Sequence, residues 1–369
     1  MNLLYVVAKA EYFLSHRLDL AKSAKNSGFN VAVATTNFSK TDYQKLNGLI
    51  RPSFVRFKRG SLNPFTEFKT IFDLVKVFKT FRPQLVHNVA LKPALYGAAI
   101  ARFYRLRSVN SINGFGYVFT SDQLVARVLR PFVKLALQLI LNHKSVSVIV
   151  QNTGDYNDCR VLLPKCNLHL IAGSGVDTKA FYPRPHDGIF TFTLVARMLW
   201  SKGVGEFVDA AKAFRAKNPN HKVRFLLVGS PDVENPESIP VAILQKWTLE
   251  KTIEWHEHTN DIQAIYAQTN VAVLPSYREG MPKSLLEAMA YGLPIITTNA
   301  RGCDDLVRDK INGLKVSVRD VDALCAAMQK CYLDPKFCSD MGARGRADVE
   351  NLYCSDIINC EVIRVYTQL

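Results

Sequence analysis

The sequence predicts two doubly wound α/β domains in tandem, with a ligand cleft between them. Three observations predict it. Continuous apolar, β-branched runs alternate with longer stretches of helical spacing, the pattern of parallel strands covered by helices on both faces. A break rich in Pro, Gly and charge interrupts the alternation near mid-chain, after which it restarts. The length of 369 residues fits two domains at roughly 100–200 residues apiece, and 48% apolar content is ample for two cores.

The first domain is read as residues 1–180, with strands at 3–8, 31–35, 85–88, 108–112 and 146–150 and helices at 15–26 and 64–81. The break runs over 175–188, through Pro183 and Pro185, and reads as a linker. The second domain, 187–354, repeats the scheme, with strands at 190–195, 224–228, 271–274 and 294–298. Its helices fit 204–217, 261–267, 283–291 and 321–332. Residues 355–369 are expected to form a helix that packs back on the first domain. Folds of this class bind ligands beyond the carboxyl ends of their strands, so chemistry is sought in the loops that leave strands.

The densest such loop follows Leu274. Gly280 there is free to take special backbone angles, Pro282 suits the first turn of a helix, and Gly292 stops that helix. The backbone N–H groups of Lys283, Ser284 and Leu285 then stand at a helix N-terminus, which attracts phosphate. Glu279 precedes the helix and Glu287 lies inside it, eight residues later. Ionised carboxylates only accept hydrogen bonds, which suits sugar hydroxyls. The same spacing is also met if Glu279 caps the helix and Glu287 faces solvent. A second cluster leaves the first strand of the second domain, where Arg197 and Lys202 flank a short loop. Two cations facing a helix N-terminus are suited to a diphosphate.

Together these residues resemble glycosyltransferase family 4, whose architecture of two Rossmann-like domains is called GT-B. Glu279 and Glu287 meet its E-x7-E pattern, within a stretch from Glu279 to Pro294 that matches the family signature at nearly every place. The resemblance implies that Arg197 and Lys202 bind the donor diphosphate and that Glu287 binds the donor ribose. It puts Glu279, with the backbone of Gly280, Met281 and Pro282, beside the donor sugar. Further motifs at 13–18, 92–97, 113–120 and 173–177 look like a bacterial subgroup of capsule, O-antigen and N-glycan enzymes that extend undecaprenyl-diphosphate-linked sugars. From these motifs His16 is expected to meet a donor phosphate or sugar. Asn113 is assigned to the donor sugar and Lys92 to an acceptor phosphate. His258 lies in the segment 255–261, where relatives read the nucleobase. The implied activity is retaining hexosyl transfer from a nucleotide-sugar, UDP-linked, with no metal or other cofactor. Three departures stand out. Ala8 to Tyr12 replaces a Gly-Gly loop, Asn113 stands where relatives often carry His, and Glu257 where they often carry Gly.

Charge is one-sided. Residues 1–180 hold 25 Lys/Arg against 9 Asp/Glu, and the remainder 22 against 23, so the whole +15 excess sits in the first half. Such a domain seeks a polyanion. The stretches 64–81 and 121–144 mix apolar side chains at helical spacing with Lys and Arg, as helices at an anionic membrane surface do. Ordinary packing of those stripes on the sheet is the other reading. The N-terminus carries no basic leader, and the longest apolar run, 132–141, falls short of the ~20 residues of a membrane span. The expected location is therefore cytoplasmic, at the inner face of the plasma membrane. Eight scattered cysteines without a C-x-x-C pair read as reduced thiols. No recognition motif for nucleic acid is present. The competing activity class is a nucleotide-sugar epimerase of the same fold.

Overall fold

The computed structural model describes residues 1–46, 48–58, 60, 63–114, 119, 124–183, 188–259 and 261–368, the side chains of 124–126 excepted. Parts of the Asn113 motif (115–118, 120), the start of the second basic stretch (121–123), part of the mid-chain break (184–187) and Asn260 lie outside the described residues. The chain divides into two compact units, one made of Met1–Ser174 with Ser355–Leu369, the other of Gly175–Cys354.

The first unit holds a seven-stranded parallel sheet in the order β3-β2-β1-β4-β5-β6-β7. Its strands are β1 (Asn2–Val7), β2 (Asn30–Thr35), β3 (Arg51–Phe54), β4 (Leu85–Val89), β5 (Arg107–Ile112), β6 (Val146–Val150) and β7 (Asn167–Leu170). Its first helices are α1 (Ala10–His16), α2 (Leu18–Asn26), α3 (Lys40–Lys45), α4 (Pro64–Phe81), α5 (Leu91–Phe103), α6 (Leu124–Leu141) and α7 (Thr153–Leu162). Alternate residues of the central strands face opposite layers. Leu3, Tyr5, Val31 and Val33 pack with Phe13, Leu20 and Ala24 of α1 and α2. Leu4, Val6, Ala32 and Val86 pack with Leu74, Phe78 and Ile100 of α4 and α5. Helix α6 joins that second layer through Leu137 and Leu141, against Ile112 and Val148.

The second unit repeats the plan with a six-stranded sheet, β10-β9-β8-β11-β12-β13. Its strands are β8 (Phe190–Val195), β9 (Val223–Val228), β10 (Glu254–His256), β11 (Val271–Leu274), β12 (Ile295–Thr298) and β13 (Leu314–Val316). The helices are α8 (Val204–Lys217), α9 (Val241–Leu249), α10 (Ile262–Tyr266), α11 (Lys283–Ala290), α12 (Val321–Leu333) and α13 (Pro335–Asp348). Both sheets reverse their winding at the equivalent place, between β1 and β4 and between β8 and β11. Sheets of this class hold ligands at that reversal.

The last helix, α14 (Ser355–Thr367), belongs to the first unit. Ile358, Val362 and Val365 enter the core that contains Leu20 and Ala24. Tyr366 closes a buried polar network: its hydroxyl lies 2.9 Å from the Tyr5 hydroxyl and 2.6 Å from His87 Nδ1. His87 Nε2 in turn lies 2.7 Å from Ser111 Oγ.

Two local readings change. The helix expected at 15–26 is two helices, broken at Arg17 (φ −132°, ψ −10°), whose side chain turns inward and is buried. The segment read as a linker is bound to the second unit as far as it is described before residue 184. Val176 pairs with Cys354, Phe181 enters the second core, and Arg346 donates to the Thr178 and Phe181 carbonyls.

Candidate active site

The loops that leave β8 and β11 meet at the second unit's reversal point. After β8 the chain passes Arg197, makes a single 3-10 turn at Trp200–Lys202 and enters α8 through Gly203 (φ 70°). A Cβ at Gly203 would lie 2.1 Å from the Pro275 carbonyl oxygen, so only glycine lets the two loops approach. The Ser201 carbonyl then accepts from the Tyr277 N–H at 2.9 Å and from Ser276 Oγ at 3.1 Å. Gly302 (φ 79°), beyond β12, does the same from the other side. A Cβ there would lie 2.5 Å from the Glu279 and Gly280 carbonyl oxygens. The Glu279 N–H donates to the Arg301 carbonyl at 2.9 Å. Backbone contacts on both sides therefore fix Glu279.

The side chains follow from this frame. Lys202 Nζ lies 2.5 Å from Glu279 Oε1, with both side chains largely buried. The neighbouring Cys303 thiol is pushed up to about 12, first by burial and then by the Glu279 charge. Arg197 is half-exposed and reaches the Asp232 carboxylate beyond β9, 2.5 Å away. Both cations read as diphosphate ligands thus rest on carboxylates, which hold them in place at the cost of charge available to a ligand.

Helix α11 starts at Lys283, as the sequence predicts, but Pro282 is its N-cap and not a residue of its first turn. The Leu285 N–H turns back to the Pro282 carbonyl at 3.1 Å, so Lys283 and Ser284 are its leading amides. The Tyr266 hydroxyl donates to the Ser284 carbonyl at 2.7 Å and fixes that end. At the other end Arg346 donates to the Ala290 carbonyl. Glu287 lies on the helix between these anchors, 3.5 Å from Lys283. Burial raises its carboxyl above the usual range, and Lys283 opposes the shift. Met281 packs partly against the second core. His258 is exposed beyond β10, its N–H donating to Ser230 Oγ at 3.2 Å.

In the first unit His16 is the last residue of α1. Its ring stacks on Tyr12 at 4.2 Å. Asn113, just beyond β5, donates from Nδ2 to the Tyr12 hydroxyl at 2.5 Å. Tyr12 thereby gathers His16 and Asn113 into one cluster. Lys92 is elsewhere, at the start of α5, where Nζ donates to Glu67 at 2.8 Å and to the Lys58 carbonyl at 2.7 Å.

Residues 189–334 match the family model described as Glycosyl transferases group 1, and residues 2–152 match that of the Glycosyl transferase 4-like domain. The chain belongs to this glycosyltransferase family. The glycosyltransferase is 27% identical to the N,N'-diacetylbacillosaminyl-diphospho-undecaprenol α-1,3-N-acetylgalactosaminyltransferase of Campylobacter jejuni, over 97% of this chain and 98% of that protein. It is 26% identical to the UDP-Gal:α-D-GlcNAc-diphosphoundecaprenol α-1,3-galactosyltransferase of Escherichia coli, over 84% of this chain and 81% of that protein. Among solved structures, HepE of Anabaena in complex with UDP-glucose superimposes with a TM-score of 0.79 at 17% identity, over the whole of both chains. The fold is GT-B.

Sequence reasoning on the glycosyltransferase missed Asp232 and the two packing glycines. Asp232 had a weak signal, an acid just beyond a strand in Ser230-Pro231-Asp232. The glycines had none, since each is required by a backbone that arrives from far along the chain.

Proposed function

We propose that the enzyme transfers a hexose or N-acetylhexosamine from a UDP-linked donor to a sugar carried on a lipid diphosphate, with retention of configuration and without a metal ion. The observation that carries this reading is the Lys202–Glu279 pair, fixed by backbone contacts at the sheet reversal in the loop that leads into α11. Cleavage of the donor builds negative charge on the leaving phosphate oxygen, and preorganised cations and amides meet such charge. In this reading Lys202 and Arg197 exchange Glu279 and Asp232 for phosphate oxygens, joined by the leading amides of α11. Glu279, released, accepts a hydroxyl of the donor sugar, and Glu287 accepts the ribose hydroxyls. The acceptor hydroxyl attacks from the leaving-group side and passes its proton to the departing phosphate oxygen. That path gives retention with no enzyme nucleophile. The two relatives compared above are named for acceptors on undecaprenyl diphosphate, and the second for a UDP donor, which supports both substrate classes; a role in surface polysaccharide assembly is part of this reading.

The acceptor class calls for contact with a lipid surface, and the outward face of the first unit's helices supports it. Helices α4 and α6 each bury one stripe on the sheet and leave a second apolar stripe outward. On α4 this stripe is Phe65, Phe68 and Phe72, beside Lys69 and Lys76; on α6 it is Val128, Phe132, Leu135 and Leu139, beside Arg127 and Lys134. Phe103, at the end of α5 between them, is 82% exposed. Among the described residues no helix is long and apolar enough to cross a membrane, so this layer would lie on the lipid. We place the enzyme at the inner face of the plasma membrane.

The test is a donor panel. The protein is incubated with UDP-, GDP-, dTDP- and ADP-sugars, with and without a synthetic polyprenyl-diphosphate-linked sugar, and the acceptor mass is read. Mass gain with a UDP-sugar and an unchanged anomeric configuration by NMR is expected. Arg197→Ala should lower kcat by about 10²–10³-fold, the usual loss of one charge-stabilising donor, with the acceptor KM unchanged. A donor sugar that changes configuration without acceptor would replace transfer by epimerisation.

A further inference from the structure

We propose that Arg17 anchors an oxyanion subsite in the first unit, built to take a diphosphate. Arg17 is 3% exposed, yet among the described residues no carboxylate pairs with it, as a buried cation needs. Among the described residues its one side-chain partner is the neutral Asn113 Oδ1, at 3.3 Å. Its Nε–H is buried and has no acceptor among the described residues. The acids nearest in sequence, Glu11 and Asp19, are both exposed. Buried polar groups are normally satisfied, so an orphaned donor on a buried guanidinium points to a missing acceptor of negative charge.

The surroundings fit an oxyanion. Arg17 sits between α1 and α2 and reaches Asn113, just beyond the carboxyl end of β5, on the side of the sheet where the strands end and ligands of this fold class bind. Asn113 donates to the Tyr12 hydroxyl, so the phenolic proton of Tyr12 remains to be given to a ligand. His87 adds no second positive charge, because burial, and then the Arg17 charge, lower its pKa well below its usual range. The edge of a guanidinium that carries Nε–H and a terminal N–H matches two phosphate oxygens. The diphosphate has two possible sources, the nucleotide-sugar and the lipid-linked acceptor. The proposal rests on the transfer reading only for which of the two arrives.

The experiment uses the full chain carrying Arg197→Ala and Lys202→Ala, which removes the second unit's cations, and follows thermal melting against inorganic pyrophosphate. Pyrophosphate should still raise Tm. Adding Arg17→Met should weaken its apparent affinity about ten- to a hundredfold, as expected for loss of charged hydrogen bonds. The ligand-free Tm should hold or rise, because an uncompensated buried charge is gone. A lowered ligand-free Tm with unchanged affinity would make Arg17 a structural residue and overturn the proposal. So would the absence of any pyrophosphate effect before Arg17 is changed. Arg17→Lys keeps the charge but not the fork, and covers a Met variant that fails to fold. Affinity equal to that of the parent would overturn fork recognition. In the chain with Arg197 and Lys202 intact, Arg17→Lys should raise KM for the nucleotide-sugar if the donor supplies the diphosphate, or for the lipid acceptor if the acceptor does. Both KM values unchanged would also overturn it. The melting readout stands even where no transfer is detected, so failure of the transfer reading and failure of this proposal are distinguishable.

Discussion

Glu287 carries a conflict between stability and use. Its carboxyl, on α11, is buried and raised above the ordinary range by that burial, more than Lys283 can offset. A carboxyl whose folded value lies above its unfolded value (about 4.3 for free Glu) binds its proton more tightly in the folded state. Stability is therefore lost as pH rises from the unfolded value through the raised one, and levels off above it. Glu287→Gln removes that loss. The variant should melt higher than the parent at neutral pH, with a gap that opens through this window and is absent at lower pH, and it should bind the donor more weakly. Melting across a pH series, with and without UDP, checks both halves; equal curves would mean that the carboxyl is not strained. Glu279 and Glu287 were legible because eight residues of chain set their relation. The partners Asp232 of Arg197 and Asn113 of Arg17 lie 35 and 96 positions away, and nothing local announces them. Arg17 itself, between His16 and Leu18 in a polar-looking stretch, carries no sign that it is buried.

Among elements, the central strands could be read because each is a continuous apolar run covered on both faces. The edge strands could not. Strand β3 is Arg51-Pro52-Ser53-Phe54, half-exposed and with a proline at its second place, and β10 and β13 have three residues each. Such strands exist because a neighbour offers a ladder, not because their own residues prefer one. Helix α14 is held differently, by an apolar stripe and by the Tyr366 hydroxyl. Tyr366→Phe leaves the Tyr5 hydroxyl and His87 Nδ1 without that buried partner, which costs about 1–3 kcal/mol and lowers Tm by roughly 2–10 °C. Circular dichroism melting measures it, and an unchanged Tm would show that the network relaxes onto other groups.

At the scale of the molecule, the basic excess of the first unit and its outward aromatic stripe favour the same partner. The protein should float with phosphatidylglycerol-containing vesicles. Binding should weaken between about 0.1 M and 1 M salt, as the screening length falls from about 10 Å to about 3 Å. Replacing Phe65, Phe68 and Phe72 together with Ser should lower vesicle affinity at least about tenfold, given about 1.5–3 kcal/mol for each buried Phe side chain. Equal flotation of the variant would move the contact elsewhere. The return of α14 to the first unit has one more consequence, in time instead of space. The ribosome releases residues 1–174 first, but their core stays open until Ser355–Thr367 emerge. The stretch Gly175–Cys354 is contiguous and can close as soon as it is out. Synthesis ordinarily folds domains from the N-terminus onward. Here the later-made unit can close first, and the earlier one waits for α14 to leave the tunnel.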